Sequence, residues 1–183
     1  YISKLVPVKL AEYKKIKLKI KNDYLNFKAN DENMNFVYAL AKLLKISNKS
    51  FVNSMNSFLG LPHRYEIFFK KKNTTFINDS KATSFQATKF ALNSSENIYW
   101  ILGGLPKDKD KIDLKTLKNN IVKSYIIGKN IGFFKKQIEN KIRFTISKNL
   151  KSALIKALQD IKFFKRMNNT ILLSPSAASF DQF

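Results

Sequence analysis

Ile98-Tyr99-Trp100-Ile101-Leu102-Gly103-Gly104 is the stretch that decides the fold. Five apolar residues in succession, stopped by two glycines, predict a short buried strand rather than a half-exposed one. Outward from it, strands and helices alternate. Upstream, Ser84–Leu92 reads as a helix, and Tyr65–Phe69 with Thr75–Ile77 as a hairpin around Lys70-Lys71-Lys72-Asn73. That lysine run is most simply a solvated turn. Downstream come a helix over Leu114–Asn120 and a strand over Ser124–Ile127 ending in Gly128. A helix over Phe133–Glu139 and a strand over Ile142–Ile146 follow. Leu150–Phe164 is the longest helical pattern, and Thr170–Leu173 is a last strand that runs into Ser174-Pro175. Alternation of this kind predicts the α/β class, with a parallel sheet covered by helices on both faces. Ligands then gather at the carboxyl ends of the strands, where Gly103-Gly104, Gly128 and Ser174-Pro175 lie.

The first third of the chain reads differently. Residues 14–28 alternate polar and apolar around Asn22-Asp23, with Ile16, Leu18 and Ile20 pointing one way. That alternation predicts a half-buried β-hairpin. Phe36, Val37, Leu40, Leu43 and Leu44 then recur at helical spacing, which predicts a helix over Asn35–Leu44. A second helix is expected over Phe51–Phe58, with Ser50 in the N-cap position. Gly60-Leu61-Pro62 breaks the chain and is expected to mark a domain boundary.

Composition sets wider limits. The chain has 183 residues, of which 44% are hydrophobic, enough for a core. It has no cysteine, which excludes disulfides and thiolate metal sites. No apolar run approaches the roughly 20 residues of a membrane span, and the first residues do not resemble a signal peptide. The absence of an initiator Met and the abrupt final residues lead us to expect a piece of a longer protein. The formal net charge is +21. Almost all of it is lysine, with arginine only at Arg64, Arg143 and Arg166. A sequence-specific nucleic-acid reader relies more on arginine. Lysine, asparagine, isoleucine and phenylalanine share AT-rich codons, so biased base composition accounts for the charge better than a nucleic-acid partner does.

Three segments carry candidate chemistry: Gly60-Leu61-Pro62-His63-Arg64; Asn78-Asp79-Ser80-Lys81-Ala82-Thr83-Ser84; and residues 172–183, Leu-Leu-Ser-Pro-Ser-Ala-Ala-Ser-Phe-Asp-Gln-Phe. The second lies between a strand and a helix. Ser80 or Thr83 can cap that helix, and free N–H groups at a helix start suit an anion. Asp79 can accept from sugar hydroxyls and Lys81 can neutralise a phosphate. A plain capped helix with a surface lysine fits the same residues. Arg64 could bridge a ligand at the domain break or serve as a surface ion-pair residue. His63, the one histidine, suits a packed turn. The small residues 174–179 allow either close approach of a ligand to the backbone or tight strand–helix packing. No histidine–carboxylate cluster has metal-ligand spacing, and no Ser-His-Asp set can be assembled.

Taken in order, these segments resemble the Mur ligase family, and within it the branch that adds D-glutamate. That branch carries Gly-Leu-x-His-Arg, then Asn-Asp-Ser-Lys-Ala-Thr, then Leu-Ser-Pro with Ser-x-Asp-Gln-Phe. The Leu102-Gly103-Gly104 turn followed by Lys107 also matches. The resemblance spans essentially the whole chain. It implies that residues 1–58 are the tail of a central ATPase domain. Residues 59–183 would be a Rossmann-like, mostly parallel C-terminal domain, cut short at its end. By position, Asn35 matches an asparagine near the adenine, although Asp31 and Glu32 stand where His and Asn are usual. Arg64 matches the arginine that reaches ATP phosphate, and Asp79 the residue that holds the ribose. Lys81, Thr83, Lys107, Ser179 and the backbone of Phe180 match the D-glutamate pocket, with Lys81 and Lys107 as its electrostatic anchors. A further phenylalanine of that pocket would lie beyond Phe183. The implied activity is ATP-dependent ligation of D-glutamate to UDP-N-acetylmuramoyl-L-alanine through an acyl phosphate, in peptidoglycan synthesis. The implied setting is a cytoplasmic monomer with no membrane or specific nucleic-acid partner. The Gly-rich phosphate loop, the Mg²⁺ ligands and the UDP site are expected outside this chain, so the chain alone is expected to be inactive. The alternatives are a sister amide ligase, such as another Mur ligase or a folylpolyglutamate synthase, and a basic nucleic-acid-binding module.

Overall fold

The computed structural model describes residues 10–26, 30–107 and 109–178. The chain forms two compact units, Tyr1–Gly60 and Leu61–Phe183.

The first unit is helical among its described residues. It consists of α1 (Leu10–Lys17), α2 (Asp23–Asn26), α3 (Asp31–Leu43) and α4 (Asn48–Ser57). The expected hairpin over 14–28 is therefore wrong where the chain is described. Lysine alternation disguised a helical period. Tyr13, Ile16 and Ile20, spaced i, i+3, i+7, are buried together, whereas Leu18 is 88% exposed. A strand would have put Leu18 inside beside Ile16 and Ile20. The buried cluster adds Leu25, Met34, Tyr38, Ala41 and Phe51. Asn22 ties the turn after α1 to the end of α4 by donating to the carbonyls of Met55 and Phe58. Ser47, not Ser50, is the N-cap of α4: its Oγ accepts the Ser50 N–H at 3.1 Å. Lys17 and Asp31 form an ion pair between α1 and α3. Burial, followed by the Asp31 charge, pushes the Tyr13 hydroxyl up to about 12.

The second unit is an α/β fold around a six-stranded sheet. Its strands are β1 (Glu66–Lys71), β2 (Thr74–Asn78), β3 (Ile98–Gly103), β4 (Ile121–Ile127), β5 (Phe144–Ile146) and β6 (Asn169–Leu173). The order is β1-β2-β6-β3-β4-β5. All neighbours are parallel except the β1–β2 hairpin. Every residue of β3 is buried, as its unbroken apolar run requires. Tyr99, Ile101, Tyr125, Ile127 and Ile171 pack with Ala153 and Ala157 of α7 (Leu150–Phe164). The alternate residues Trp100, Leu102, Ile126 and Leu172 are equally buried, so the other face is covered as well. There α6 (Ile131–Ile138) packs on β3 and β4, and its Phe134 meets Phe85 of α5 (Phe85–Asn93) edge-on.

α7 opens with a capping box in which Asn149 and Ser152 bond reciprocally. Over Leu114–Asn120 the expected helix is only a turn and a single 3-10 turn, Lys118–Asn120. Leu114 and Leu117 are buried there, but Lys115, Thr116, Lys118, Asn119 and Asn120 fill the other positions, so only one turn finds a packing face. Among the described residues no helix is long and apolar enough to cross a membrane.

Candidate functional site

The strand order places β6, which follows β5 in the chain, between β2 and β3. The carboxyl ends of these three neighbours lie level: Asn78 is in register with Leu173, and Leu173 with Ile101. The carboxyl ends of neighbouring parallel strands are where open α/β sheets bind ligands. The segments singled out in the sequence all emerge here. Asp79–Thr83 follows β2, Gly104–Lys107 follows β3, and Ser174–Ala178 follows β6.

Backbone hydrogen bonds stitch the three turns together. The Asp79 N–H donates to Leu173 O at 2.8 Å, and the Ser176 N–H donates to Ala82 O at 2.9 Å. Leu105 and Ala178 exchange two hydrogen bonds, 2.7 and 3.1 Å. The paired glycines make this possible. Gly103 and Gly104 have φ of 141° and 133°. A Cβ on Gly103 would sit 2.0 Å from Ile127 O, and one on Gly104 2.3 Å from Ala178 O. Only glycine suits such a path.

Asp79 is the centre of the arrangement. It is 7% exposed. Its Oδ1 accepts the Tyr65 N–H at 3.1 Å, and its Oδ2 accepts from Ser174 Oγ at 2.7 Å. Burial raises the carboxyl above its ordinary value. The Ser174 hydroxyl, the Tyr65 N–H and the Arg64 charge work against that rise without cancelling it. Arg64 lies between two residues in left-handed conformation, His63 (φ 65°) and Tyr65 (φ 48°). That strain is held from several sides. The His63 N–H donates to Glu66 Oε2 at 2.9 Å, His63 O accepts the Lys81 N–H at 3.0 Å, and Asn78 Nδ2 lies 2.7 Å from His63 Nδ1. His63 is thus a turn residue that joins the Arg64 turn to the Lys81 turn.

The structure brings Arg64, Asp79, Lys81, Thr83 and Lys107 to one end of the sheet. Arg64, Lys81 and Lys107 are exposed there, and Thr83 is half-buried. Ser179 and Phe180, with the Asp181-Gln182-Phe183 ending, lie outside the described residues. Asn35 belongs to the first unit, on α3. It is 5% exposed, and its Oδ1 has no partner among the described residues. The cap of α5 is neither Ser80 nor Thr83 but Ser84, which accepts the Ala87 N–H at 3.2 Å. Asp110 Oδ2 takes the Phe85 N–H at 2.9 Å. Two of the first-turn donors of α5 are therefore already matched by the chain itself.

Sequence reasoning passed over Tyr65, Thr88 and Asp110. Thr88 had a usable signal, as the lone hydroxyl on the buried stripe Phe85, Thr88, Ala91, Leu92. Asp110 had none, because nothing in its loop announces a contact with α5. Among the described residues no group of three or more His, Cys, Asp or Glu side chains is placed to hold a metal.

No family model matches the chain. Curated relatives do. The UDP-N-acetylmuramoylalanine–D-glutamate ligase of Wolbachia sp. subsp. Brugia malayi is 38% identical over 179 residues, covering 94% of this chain and 36% of that protein. The enzyme of the same name from Rickettsia felis is 36% identical over 154 residues, covering 84% of this chain and 34% of its own length. The chain thus spans about a third of the length of these relatives. Among solved structures, the MurF ligase from Thermotoga maritima in complex with ADP aligns with a TM-score of 0.58 at 14% identity, over 79% of this chain and 34% of that one. A bifunctional folylpolyglutamate synthase/dihydrofolate synthase from Yersinia pestis aligns with a TM-score of 0.54 at 16% identity, over 78% and 36%. At those identities the likeness speaks for the fold. The curated relatives, matched over most of this chain, place it in the Mur ligase family.

Proposed function

We propose that this chain is the C-terminal part of a ligase that joins D-glutamate to UDP-N-acetylmuramoyl-L-alanine at the expense of ATP. The observation that carries the reading is the convergence of Asp79-Ser80-Lys81-Ala82-Thr83, Gly103-Gly104 with Lys107, and Ser174-Pro175 at the carboxyl ends of three neighbouring strands. The relatives bearing that enzyme's name support it. Residues 1–58 would belong to the central ATPase domain and 59–183 to the amino-acid-binding domain.

The chemistry explains the residue types. A carboxylate is a poor electrophile, and phosphorylating it supplies a leaving group. The amine of D-glutamate then attacks the acyl carbon, a tetrahedral intermediate forms, and the C–O bond to phosphate breaks. Negative charge is spread over phosphoryl and carbonyl oxygens throughout, so fixed cations lower the barrier. Arg64 would meet the nucleotide phosphates, Asp79 the ribose and Asn35 the adenine. Lys81 and Lys107, with Thr83, Ser179 and the Phe180 backbone, would hold the two carboxylates of D-glutamate so that its amine faces the acyl carbon. That is a positioning task. Mg²⁺ would be held by residues outside this chain, and the protein would act in the cytoplasm as a monomer.

The test uses the complete ligase with ATP, Mg²⁺ and the UDP-muramoyl acceptor, following phosphate release with and without D-glutamate. The expected result is strict dependence on D-glutamate, with kcat/KM falling on the order of 100-fold in Lys81→Ala or Lys107→Ala. Release with an L-amino acid instead would move the protein to a sister amide ligase, a reading that the fold shared with a folylpolyglutamate synthase keeps open. The 183-residue chain by itself is expected to form no product.

A further inference from the structure

Four side chains from three separate segments form a continuous buried chain in the second unit. Ser174 Oγ is within hydrogen-bond distance of both Asp79 Oδ2, at 2.7 Å, and Thr88 Oγ1, at 2.9 Å. Thr88 Oγ1 lies 2.8 Å from Ser176 Oγ. Ser174, Thr88 and Ser176 are fully buried. Each hydroxyl has a single hydrogen, and an ionised carboxylate can only accept. With Asp79 ionised, Ser174 therefore gives its hydrogen to Asp79. Thr88 must then donate to Ser174, and Ser176 to Thr88. The chain has one direction, Ser176 to Thr88 to Ser174 to Asp79, and hydroxyls aligned in this way polarise one another.

Its two ends are not equally secured. Asp79 has a second anchor, the Tyr65 N–H. Ser176 is a non-glycine residue with φ of 61°. Two bonds hold it there: its N–H to Ala82 O, and its hydroxyl to Thr88. Its position sets the path of Ala177 and of Ala178, which bridges to Leu105 in the Lys107 loop.

We propose that Thr88 is a positioning residue for the amino-acid side of the site: its hydroxyl locks the turn after β6 against α5 and keeps that turn aligned with the Lys81–Thr83 turn. Thr88 touches no substrate. It acts through Ser176 on the turn that leads into the proposed D-glutamate pocket, and in that respect it rests on the ligase reading above. The asymmetry of the chain predicts which substrate responds. Loss of the Thr88 hydroxyl leaves Ser176, in its left-handed conformation, with only its N–H bond to Ala82 O, whereas Asp79 keeps both the Tyr65 N–H and the Ser174 hydroxyl. The D-glutamate side loosens and the nucleotide side does not.

Two measurements test this. The first is hydrogen exchange on the 183-residue chain. Thr88→Val keeps the shape and removes the hydroxyl, while Thr88→Ser keeps the hydroxyl. The Ser176 and Ala178 amides are expected to exchange on the order of tenfold faster in Thr88→Val than in wild type, and at nearly the wild-type rate in Thr88→Ser. Equal exchange in wild type and Thr88→Val would overturn the proposal, whatever the reaction proves to be. So would a Thr88→Ser variant as loose as Thr88→Val. The second is steady-state kinetics on the complete ligase. Thr88→Val is expected to raise KM for D-glutamate about tenfold with KM for ATP unchanged, and Thr88→Ser to restore it. A fall in kcat alone, or an equal rise in both KM values, would defeat the positioning role. A wild-type enzyme indifferent to D-glutamate would instead sink the ligase reading, and the exchange result would still decide the role of Thr88.

Discussion

The carboxyl end of the sheet in the second unit and helix α3 in the first treat polar and apolar groups in opposite ways. At the carboxyl ends of β2, β6 and β3 the buried polar side chains satisfy one another, from Ser176 through Thr88 and Ser174 to Asp79. The apolar side chains of β3 are buried without exception. In the first unit, α3 turns Met34, Asn35, Tyr38 and Ala41 inward and leaves Phe36, Val37, Leu40 and Leu43 exposed. The inward face contains an amide oxygen without a partner among the described residues, and the outward face is an apolar stripe. A parallel sheet explains the contrast. Its strand ends bring distant segments into register, so polar groups from residues 79, 88, 174 and 176 can meet. Four short helices have no such device, and α3 has more apolar surface than their shared core can cover.

The contrast breaks most severely at Gly103. Gly103→Ala places a methyl group 2.0 Å from the Ile127 carbonyl and asks alanine for a φ of 141°. We expect a loss of about 4 kcal/mol or more, read as a shift of the urea midpoint or as failure to fold. Unchanged stability would mean that the β3–β4 contact at this turn has slack that its geometry does not show. The next effect is nearly as large. Phe134→Ala empties a fully buried site beside Phe85 and should cost about 3–5 kcal/mol. Leu40→Ala, on the exposed stripe of α3, should stay within about 0.5 kcal/mol. Similar costs at the two positions would show that the α3 stripe is covered in solution.

Asp79 sharpens the comparison through pH. Burial raises its folded pKa, so between the unfolded and folded values the native state binds more protons than the unfolded one. The stability this group contributes is therefore greatest below the unfolded value and is lost as pH rises through the folded value. Asp79→Asn removes that dependence. The stability of wild type minus that of Asp79→Asn should fall as pH is raised across the acid range, measured by urea midpoints at successive pH values. A flat difference would show that the carboxyl binds its proton equally well in both states.

Much of the second unit was legible in advance because its signals are local. The unbroken apolar run of β3, the glycines that end it and the helical period of Leu150–Phe164 each report directly on burial. The three segments that meet at the carboxyl end of the sheet were also visible as strings. What was not legible was how they are joined, because hydroxyl contacts between residues 86 and 95 positions apart leave no trace in local pattern. In the first unit even local pattern failed. Lys14-Lys15-Ile16-Lys17-Leu18-Lys19-Ile20 satisfies a period of two and a period of 3.6 together. Only Tyr13, one helical turn before Ile16, breaks the tie, because it extends the buried helical face and not the strand face.

Capping gives a smaller effect that separates two serines three residues apart. Ser47→Ala removes the side-chain oxygen that accepts the Ser50 N–H and should cost about 1 kcal/mol. Ser50→Ala should cost clearly less, because its hydroxyl meets only the exposed Ser47 hydroxyl. Reversed values would move the start of α4 to where the sequence pattern put it.

The smallest expected effect is the most diagnostic of how the first unit folds. Leu18→Glu changes a side chain that is 88% exposed just beyond α1 and should alter stability by less than about 0.5 kcal/mol. Ile16→Glu, two residues earlier and buried against Tyr13 and Ile20, puts an unpaired carboxylate into the cluster and should unfold the unit. A hairpin treats the two positions alike, since residues two apart share a face of a strand. A helix separates them by about 200°. Urea midpoints of the two variants, set beside wild type, therefore decide between the two periods that the lysines superimpose: equal losses belong to the strand, and a loss confined to Ile16 belongs to the helix.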